Sequence, residues 1–176
     1  KVKKLFFIML FAASSAVYGS EWAHNAINLT HEYGDGSGVK VGVMDGPVRC
    51  SHQELSGRCE NIFYDGEVKR GNHGTHVATI IAGDGQAPKW MEHDGGVAPR
   101  AKIYSYQVFE ANDYWISDEN EVAMANRAAK DGVSIINMSY GAYDEQGRAA
   151  LIDNLLKIWR KHKKVTFVNA AGNDGT

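Results

Sequence analysis

Short runs of β-branched and apolar residues alternate along this chain with stretches of helical spacing, and this alternation constrains the fold most strongly. Buried strands are predicted over 39–44, around 104–108, over 133–138 and over 165–170. The helical stripes between them are Val77, Ile80 and Ile81, then Val122, Ala125 and Ala129, then Leu151, Leu155, Ile158 and Trp159. This pattern predicts an α/β fold, a three-layer sandwich in which right-handed crossovers place helices on both faces of a mostly parallel sheet.

Composition excludes some classes of function. The 176 residues include 21 acidic and 19 basic side chains, a formal charge of −2, so the positive excess typical of a nucleic-acid-binding protein is missing. A dinucleotide fingerprint must follow a strand, whereas the glycines of 34–38 precede the first one. We therefore expect neither nucleic acid nor a nucleotide as a partner.

The first nineteen residues resemble a targeting segment. Lys1, Lys3 and Lys4 precede an apolar run over 5–17, shorter than the roughly 20 residues that a membrane-spanning helix needs. We predict a secretory signal peptide over 1–19, cleaved after Ala16 or Gly19, with an uncleaved membrane anchor as the alternative. The mature segment, 20–176, would have no membrane span and would be secreted or exposed at the cell surface.

Export changes the interpretation of the two cysteines. Cys50 and Cys59 are close in sequence, and in an oxidising compartment such a pair favours a disulfide over a metal site. The bridge would hold a surface loop.

Polar residues follow the predicted strands. Asp45 ends the first strand, Ser139 ends the third and Asn173 lies beyond the fourth. The carboxyl ends of parallel strands form the ligand crevice of such a sheet. We expect these groups to converge there with the start of the helix near His73. A turn aspartate before Gly46 is the simpler alternative for Asp45.

The run GNHGTHVA over 71–78 contains two histidines, His73 and His76, on one helix face. Their spacing fits a zinc pair or an acid–base histidine beside a structural one, but HExxH is absent and no third ligand is evident. Asn173 could stabilise its own turn or donate a hydrogen bond to a negative charge developing on a substrate oxygen.

Three blocks resemble subtilisin-like serine peptidases: VGVMD over 41–45, HGTHVA over 73–78 and AAGN over 170–173. The resemblance implies that Asp45 and His73 belong to a Ser-His-Asp triad and that Asn173 is the side-chain donor of the oxyanion hole. It also implies that Ser139, Tyr140 and Gly141 form the edge along which a protein or peptide substrate lies.

The departures from the family pattern matter as well. The nucleophilic serine, in a Gly-Thr-Ser-Met-Ala type motif, has no counterpart, so we expect 20–176 to be the N-terminal part of a peptidase domain, incomplete at its C-terminus and inactive alone. A catalytically dead peptide-binding module is the alternative. Gly46-Pro47 replaces the usual Ser/Thr-Gly and removes a hydroxyl near Asp45.

The resemblance also bears on cofactors and origin. Glu54 sits where some members offer a calcium ligand, but the segment Gly83 to Gly96 does not match their ion-binding loop, so no cofactor is predicted. The short stretch before the first strand leaves no room for an inhibitory pro-domain, which resembles the autotransporter subgroup of bacterial members.

Overall fold

The computed structural model describes residues 21–62 apart from His31 and Tyr33, together with 72–86, 95–110, 114–141 and 152–173. The predicted signal peptide over 1–19 and the predicted helix residue Leu151 lie outside the described residues. No helix within the described ranges is long and apolar enough to cross a membrane.

Five strands and four α-helices make up the described fold. The strands are β1 (Lys40–Asp45), β2 (Cys59–Ile62), β3 (Lys102–Gln107), β4 (Ile135–Met138) and β5 (Thr166–Asn169). The helices are α1 (Glu21–Ala26), α2 (His73–Ala82), α3 (Asp118–Lys130) and α4 (Ile152–Lys161), and a 3-10 turn covers Gln53–Leu55. All four predicted strands and all three predicted helices are present, which confirms the α/β fold class.

The sheet is parallel throughout, in the order β2-β3-β1-β4-β5. β1 is its central strand and pairs with β3 on one side, where Asp45 lies opposite Gln107. On its other side β1 pairs with β4, where Met44 lies opposite Met138. The carboxyl end of β1 is therefore flanked by those of β3 and β4.

Each face of the sheet is covered by its own apolar core. On one face Val41, Val43 and Ile103 pack with Val77 and Ala78 of α2. On the other face, α3 and α4 cover the sheet through the residues Met44, Tyr106, Met124, Ala125, Ile136 and Ile158. Helices on both faces, as predicted, follow from the alternation of side chains along β1.

The crossovers do not all have the same hand. The chain moves in the same direction across the sheet from β2 to β3 through α2 and from β3 to β4 through α3. Because α2 and α3 cover opposite faces, these two crossovers have opposite hands. The prediction that all crossovers are right-handed is therefore wrong for one of them. Right-handed crossovers dominate in proteins, and α4 lies on the same face as α3, so the unusual connection is the one through α2.

The helical stripes are partly shifted from their predicted positions. The buried positions of α3 are Asn120, Glu121, Met124, Ala125 and Ala128, whereas the predicted Val122 and Ala129 are only half-buried. In α4, Ile158 is buried as expected, but Trp159 is 45% exposed, so its placement in the stripe is wrong.

Strand β2 was not predicted, because its sequence, CENI, has no apolar run. It is an edge strand held by pairing with β3. The predicted disulfide is confirmed: Cys50 is bonded to Cys59 at the start of β2 and encloses the 3-10 turn, with Cα atoms 5.0 Å apart.

Replacing both cysteines, Cys50→Ser with Cys59→Ser, should lower the free energy of unfolding by about 2.5–3 kcal/mol, because a ten-residue loop then gains freedom in the unfolded chain. Urea unfolding of the oxidised protein measures this. The matched control is the unsubstituted protein in reductant, which should fall by the same amount. A double variant as stable as the oxidised protein would contradict a stabilising bridge.

Candidate active site

Asp45 ends the central strand and faces α2. Side chains alternate along β1, so Asp45 shares the face on which Val41 and Val43 pack against α2. Only 4% of its side chain is exposed. A carboxylate buried to this degree is costly unless donors surround it.

Two donors meet this carboxylate. The main-chain N–H of Gly46 donates to Oδ1 at 2.7 Å. Nδ1 of His73 lies 2.9 Å from Oδ1 and 2.8 Å from Oδ2. Since an ionised carboxylate only accepts, Nδ1 carries the proton, and Nε2 is the ring nitrogen that Asp45 does not use. The main chain of Gly46 thus supplies a hydrogen bond where the sequence lacks the family's hydroxyl.

The start of α2 fits tightly against the end of β1. His73 is the first residue of α2, and half of its side chain is exposed. A Cβ at Gly74 would overlap the carbonyl oxygen of Gly46 and lie 3.3 Å from Cβ of Asp45. Gly74 is therefore required for this close approach. Asn72 occupies the N-cap position, but its side chain makes no capping hydrogen bond.

Side chains also hold the loop that follows β1. Thr75 Oγ1 accepts from the main-chain N–H of Arg49 at 2.9 Å. Ser105 Oγ, in β3, accepts from the N–H of Val48 at 3.2 Å. These contacts fix the loop against α2 and β3, and sequence reasoning did not anticipate them.

The segment Ser139–Gly141, which we call the edge segment, leaves the end of β4 beside β1. The hydroxyl oxygen of Ser139 accepts from Nδ2 of Asn137 at 2.8 Å. Gly141 is exposed, with open space around it. No main-chain hydrogen bond to another described residue uses the amides of this segment.

Tyr140 anchors the edge segment to the helical face. Its ring lies 5.0 Å from that of Phe109 and 5.5 Å from that of Trp115, measured between centroids. Its hydroxyl donates to Oε1 of Glu121 at 2.8 Å. Burial and the neighbouring Glu121 raise the pKa of Tyr140 far above its usual value, so the hydroxyl remains a donor.

Glu121 is the buried acid that sequence reasoning missed. It is 0% exposed in the first turn of α3. Burial and, to a smaller extent, the nearby Asp118 raise its pKa to about 7, against the lowering effect of the hydrogen bond from Tyr140. Its place could have been found from the spacing of 121, 124, 125 and 128, which is an unbroken helical stripe.

The remaining predicted site residues are less closely connected. Asn173 lies in an exposed bend after β5, at the same end of the sheet, and no hydrogen bond among the described residues joins it to Asp45 or His73. His76 is exposed on α2, one turn from His73. Within the described ranges, no three His, Cys, Asp or Glu side chains are grouped to hold a metal ion.

Glu54 contributes to the structure near the end of α2. It is buried, and its Oε2 accepts from the main-chain N–H of Gly85 at 2.7 Å. This carboxylate, which the family resemblance associates with calcium in some members, thus binds the main chain of the loop that follows α2.

Two of the three sequence blocks meet in the contact between Asp45 and His73, and the third follows β5 at the same end of the sheet. A model of the subtilase family matches residues 36–176. The chain belongs to the subtilase family. It is similar to thermitase from Thermoactinomyces vulgaris, with 30% identity over 148 residues that cover 80% of this chain and 50% of thermitase. Subtilisin DY from Bacillus licheniformis is 31% identical over 144 residues, which cover 80% of this chain and 49% of that protein.

A solved subtilase-related structure shows the same fold. Fervidolysin from Fervidobacterium pennivorans, described as a keratinolytic enzyme related to subtilisin, is similar with a TM-score of 0.71 and 27% identity. The similarity covers 86% of this chain and 24% of fervidolysin. The chain thus spans about half, or less, of the length of these subtilases.

Gly74→Ala should lower the free energy of unfolding by about 1–3 kcal/mol, because the methyl group overlaps the carbonyl of Gly46. It should also separate His73 from Asp45, which NMR of the imidazole Nδ1 proton detects. Gly141→Ala, which adds the same methyl group in open space, is the control for stability. Equal stability of the two variants would contradict the close approach.

The raised pKa of Glu121 predicts a pH-dependent stability. The folded protein holds this proton more tightly than the unfolded chain, so the stabilisation is complete below about pH 4 and is lost as the pH rises to about 7. The loss should reach roughly 2–3 kcal/mol. Unfolding by urea at pH 5 and 8 tests this, because Glu121→Gln should remove that part of the difference while Glu119→Gln, on the exposed side of α3, should not.

Proposed function

We propose that this protein is a secreted serine endopeptidase of subtilisin type. The observation that carries the proposal is the contact between Nδ1 of His73 and the buried carboxylate of Asp45. Membership of the subtilase family supports it. A buried aspartate that orients a histidine is the base half of a Ser-His-Asp triad.

His73 acts as the general base. Because Asp45 engages Nδ1, Nε2 takes the proton from the serine hydroxyl as that oxygen attacks the peptide carbonyl. The same proton then passes to the leaving amine, and water later hydrolyses the acyl-enzyme. Asp45 holds the tautomer and stabilises the imidazolium that forms.

Asn173 and the edge segment bind the substrate. The peptide runs along Ser139–Gly141 as an added strand, through main-chain amides that make no main-chain hydrogen bond to another described residue. Asn173 donates its side-chain amide to the oxyanion. This role of Asn173 is supported by its position at the carboxyl end of the sheet, in the block AAGN that resembles the family.

The nucleophile is proposed to lie in a continuation of the domain. No Gly-Thr-Ser-Met-Ala type motif occurs among the 176 residues, and the chain spans about half of thermitase. We therefore expect the 176-residue chain alone to be inactive and the longer gene product to cleave proteins or peptides.

Export is supported by the predicted signal peptide over 1–19 and by the disulfide. The autotransporter subgroup and a bacterial origin stay predictions. Mass spectrometry of the exported protein should give an N-terminus at Val17 or Ser20, and an intact Lys1 would contradict cleavage.

Three substitutions in the full-length gene product test the assignment. Asp45→Asn should lower kcat for a peptide substrate by about 10⁴-fold, because the base loses its orientation. His73→Ala should lower kcat by about 10⁶-fold, because the base itself is removed. Asn173→Ala should lower kcat by about 10²- to 10³-fold. His76→Ala, on the same helix and exposed, is the matched control and should leave kcat unchanged.

Labelling with a fluorophosphonate distinguishes an enzyme from a dead module. The full-length protein should react at a single serine, and Asp45→Asn should react far more slowly. Peptide binding without labelling would favour the peptide-binding module and exclude the proposed catalysis.

A further inference from the structure

The second oxygen of Glu121 has no partner among the described residues. Oε1 accepts from Tyr140, while Oε2 is buried without a hydrogen bond. An unsatisfied buried carboxylate oxygen costs free energy whether or not the group is ionised. The one described hydrogen-bond partner of Glu121, Tyr140, belongs to the edge segment.

The charges around Glu121 do not neutralise it. Asp118, in the same first turn of α3, acts on it with the same sign. Across the contact, Tyr140 is influenced by Glu121 and by Asp45, both acidic. No basic residue contributes to the shifted pKa of either Glu121 or Tyr140. An ionised Glu121 would therefore be stabilised only by water, and in the packed state its side chain has no contact with water.

The geometry points to Glu121 as a positioning residue for substrate binding: through the hydroxyl of Tyr140 it holds the edge segment, and its ionisation loosens that segment. The effect of Glu121 on substrate binding rests on the proposed function, whereas its effect on the conformation of the edge segment does not. With a neutral Glu121, Tyr140 stays bonded and the amides of Ser139–Gly141 stay in place for a peptide. With an ionised Glu121, conformations that admit water to the carboxyl gain population.

The pH range of this effect is set by two pKa values of Glu121. The pKa is raised to about 7 in the packed state, whereas in the opened state it is that of an ordinary carboxyl group. Opening becomes more favourable between about pH 4.5 and pH 7 and levels off above that range. The expected change in the opening equilibrium is about twentyfold between pH 5.5 and 7.5.

Hydrogen exchange tests the segment without any need for catalysis. In the full-length protein, the hydroxyl proton of Tyr140, which is hydrogen-bonded to Glu121, should be protected from exchange with water; its protection factor, measured by NMR and corrected for the intrinsic rate, should fall about twentyfold from pH 5.5 to 7.5. Glu121→Gln keeps an acceptor for Tyr140 but cannot ionise, so its protection should not change over this range. Glu119→Gln is the matched control and should behave as the unsubstituted protein. Equal pH dependence in Glu121→Gln and the unsubstituted protein would overturn the inference.

Steady-state kinetics then tests the effect on substrate. The ratio of KM between the unsubstituted protein and Glu121→Gln should be near one at pH 5 and several-fold higher at pH 8, with a kcat ratio near one throughout. Taking ratios at each pH removes the pH effects that are common to both proteins. Tyr140→Phe should raise KM and remove the dependence on Glu121. A shift in kcat alone, or a constant KM ratio, would overturn the positioning role.

The two experiments separate the two proposals. A full-length protein that cleaves no peptide but shows the pH-dependent protection refutes the proposed peptidase and leaves the role of Glu121 in the segment intact. If the full-length protein cleaves peptides but neither the protection nor the KM ratio changes with pH, the peptidase proposal stands and the role of Glu121 is refuted.

Discussion

The buried carboxylate of Asp45 is the constraint around which the described structure is arranged. It lies at the end of the central strand, where burial would be costly without donors, and it receives the N–H of Gly46 and Nδ1 of His73. To bring that imidazole within reach, α2 must begin against the turn after β1, and only a glycine at position 74 permits this approach. The site is thus a consequence of how α2 packs.

The residues alone marked both partners of this pair as candidates but left a turn aspartate and a zinc pair open. Asp45 ends an apolar strand, and His73 follows a glycine-rich turn at the start of an apolar helix. Parallel strands bring their carboxyl ends to one edge, and the subtilase resemblance supplied the pairing itself. The contact between Asp45 and His73 is observed, while the roles of Asn173 and the edge segment stay predictions.

What could not be predicted depends on tertiary contacts. β2 has no apolar run because it is an edge strand, held by β3 and by the disulfide at Cys59. The predicted stripe of α3 contains Val122 because it follows apolar residues alone; the spacing could place Glu121 on the buried face, but only the structure shows that the hydroxyl of Tyr140 binds it there. The hand of the crossover through α2 is likewise invisible in a local pattern.

That unusual crossover has a consequence for how the protein can change. His73 approaches the end of β1 from one face of the sheet, whereas Glu121 and Tyr140 belong to the other. On the proposed function, the sheet therefore separates Asp45 and His73, which would transfer the proton, from Glu121 and Tyr140, which would hold the peptide-binding segment. Substitutions on the α3 side can therefore change the packing of Tyr140 while the contact between Asp45 and His73 stays in place on the opposite face.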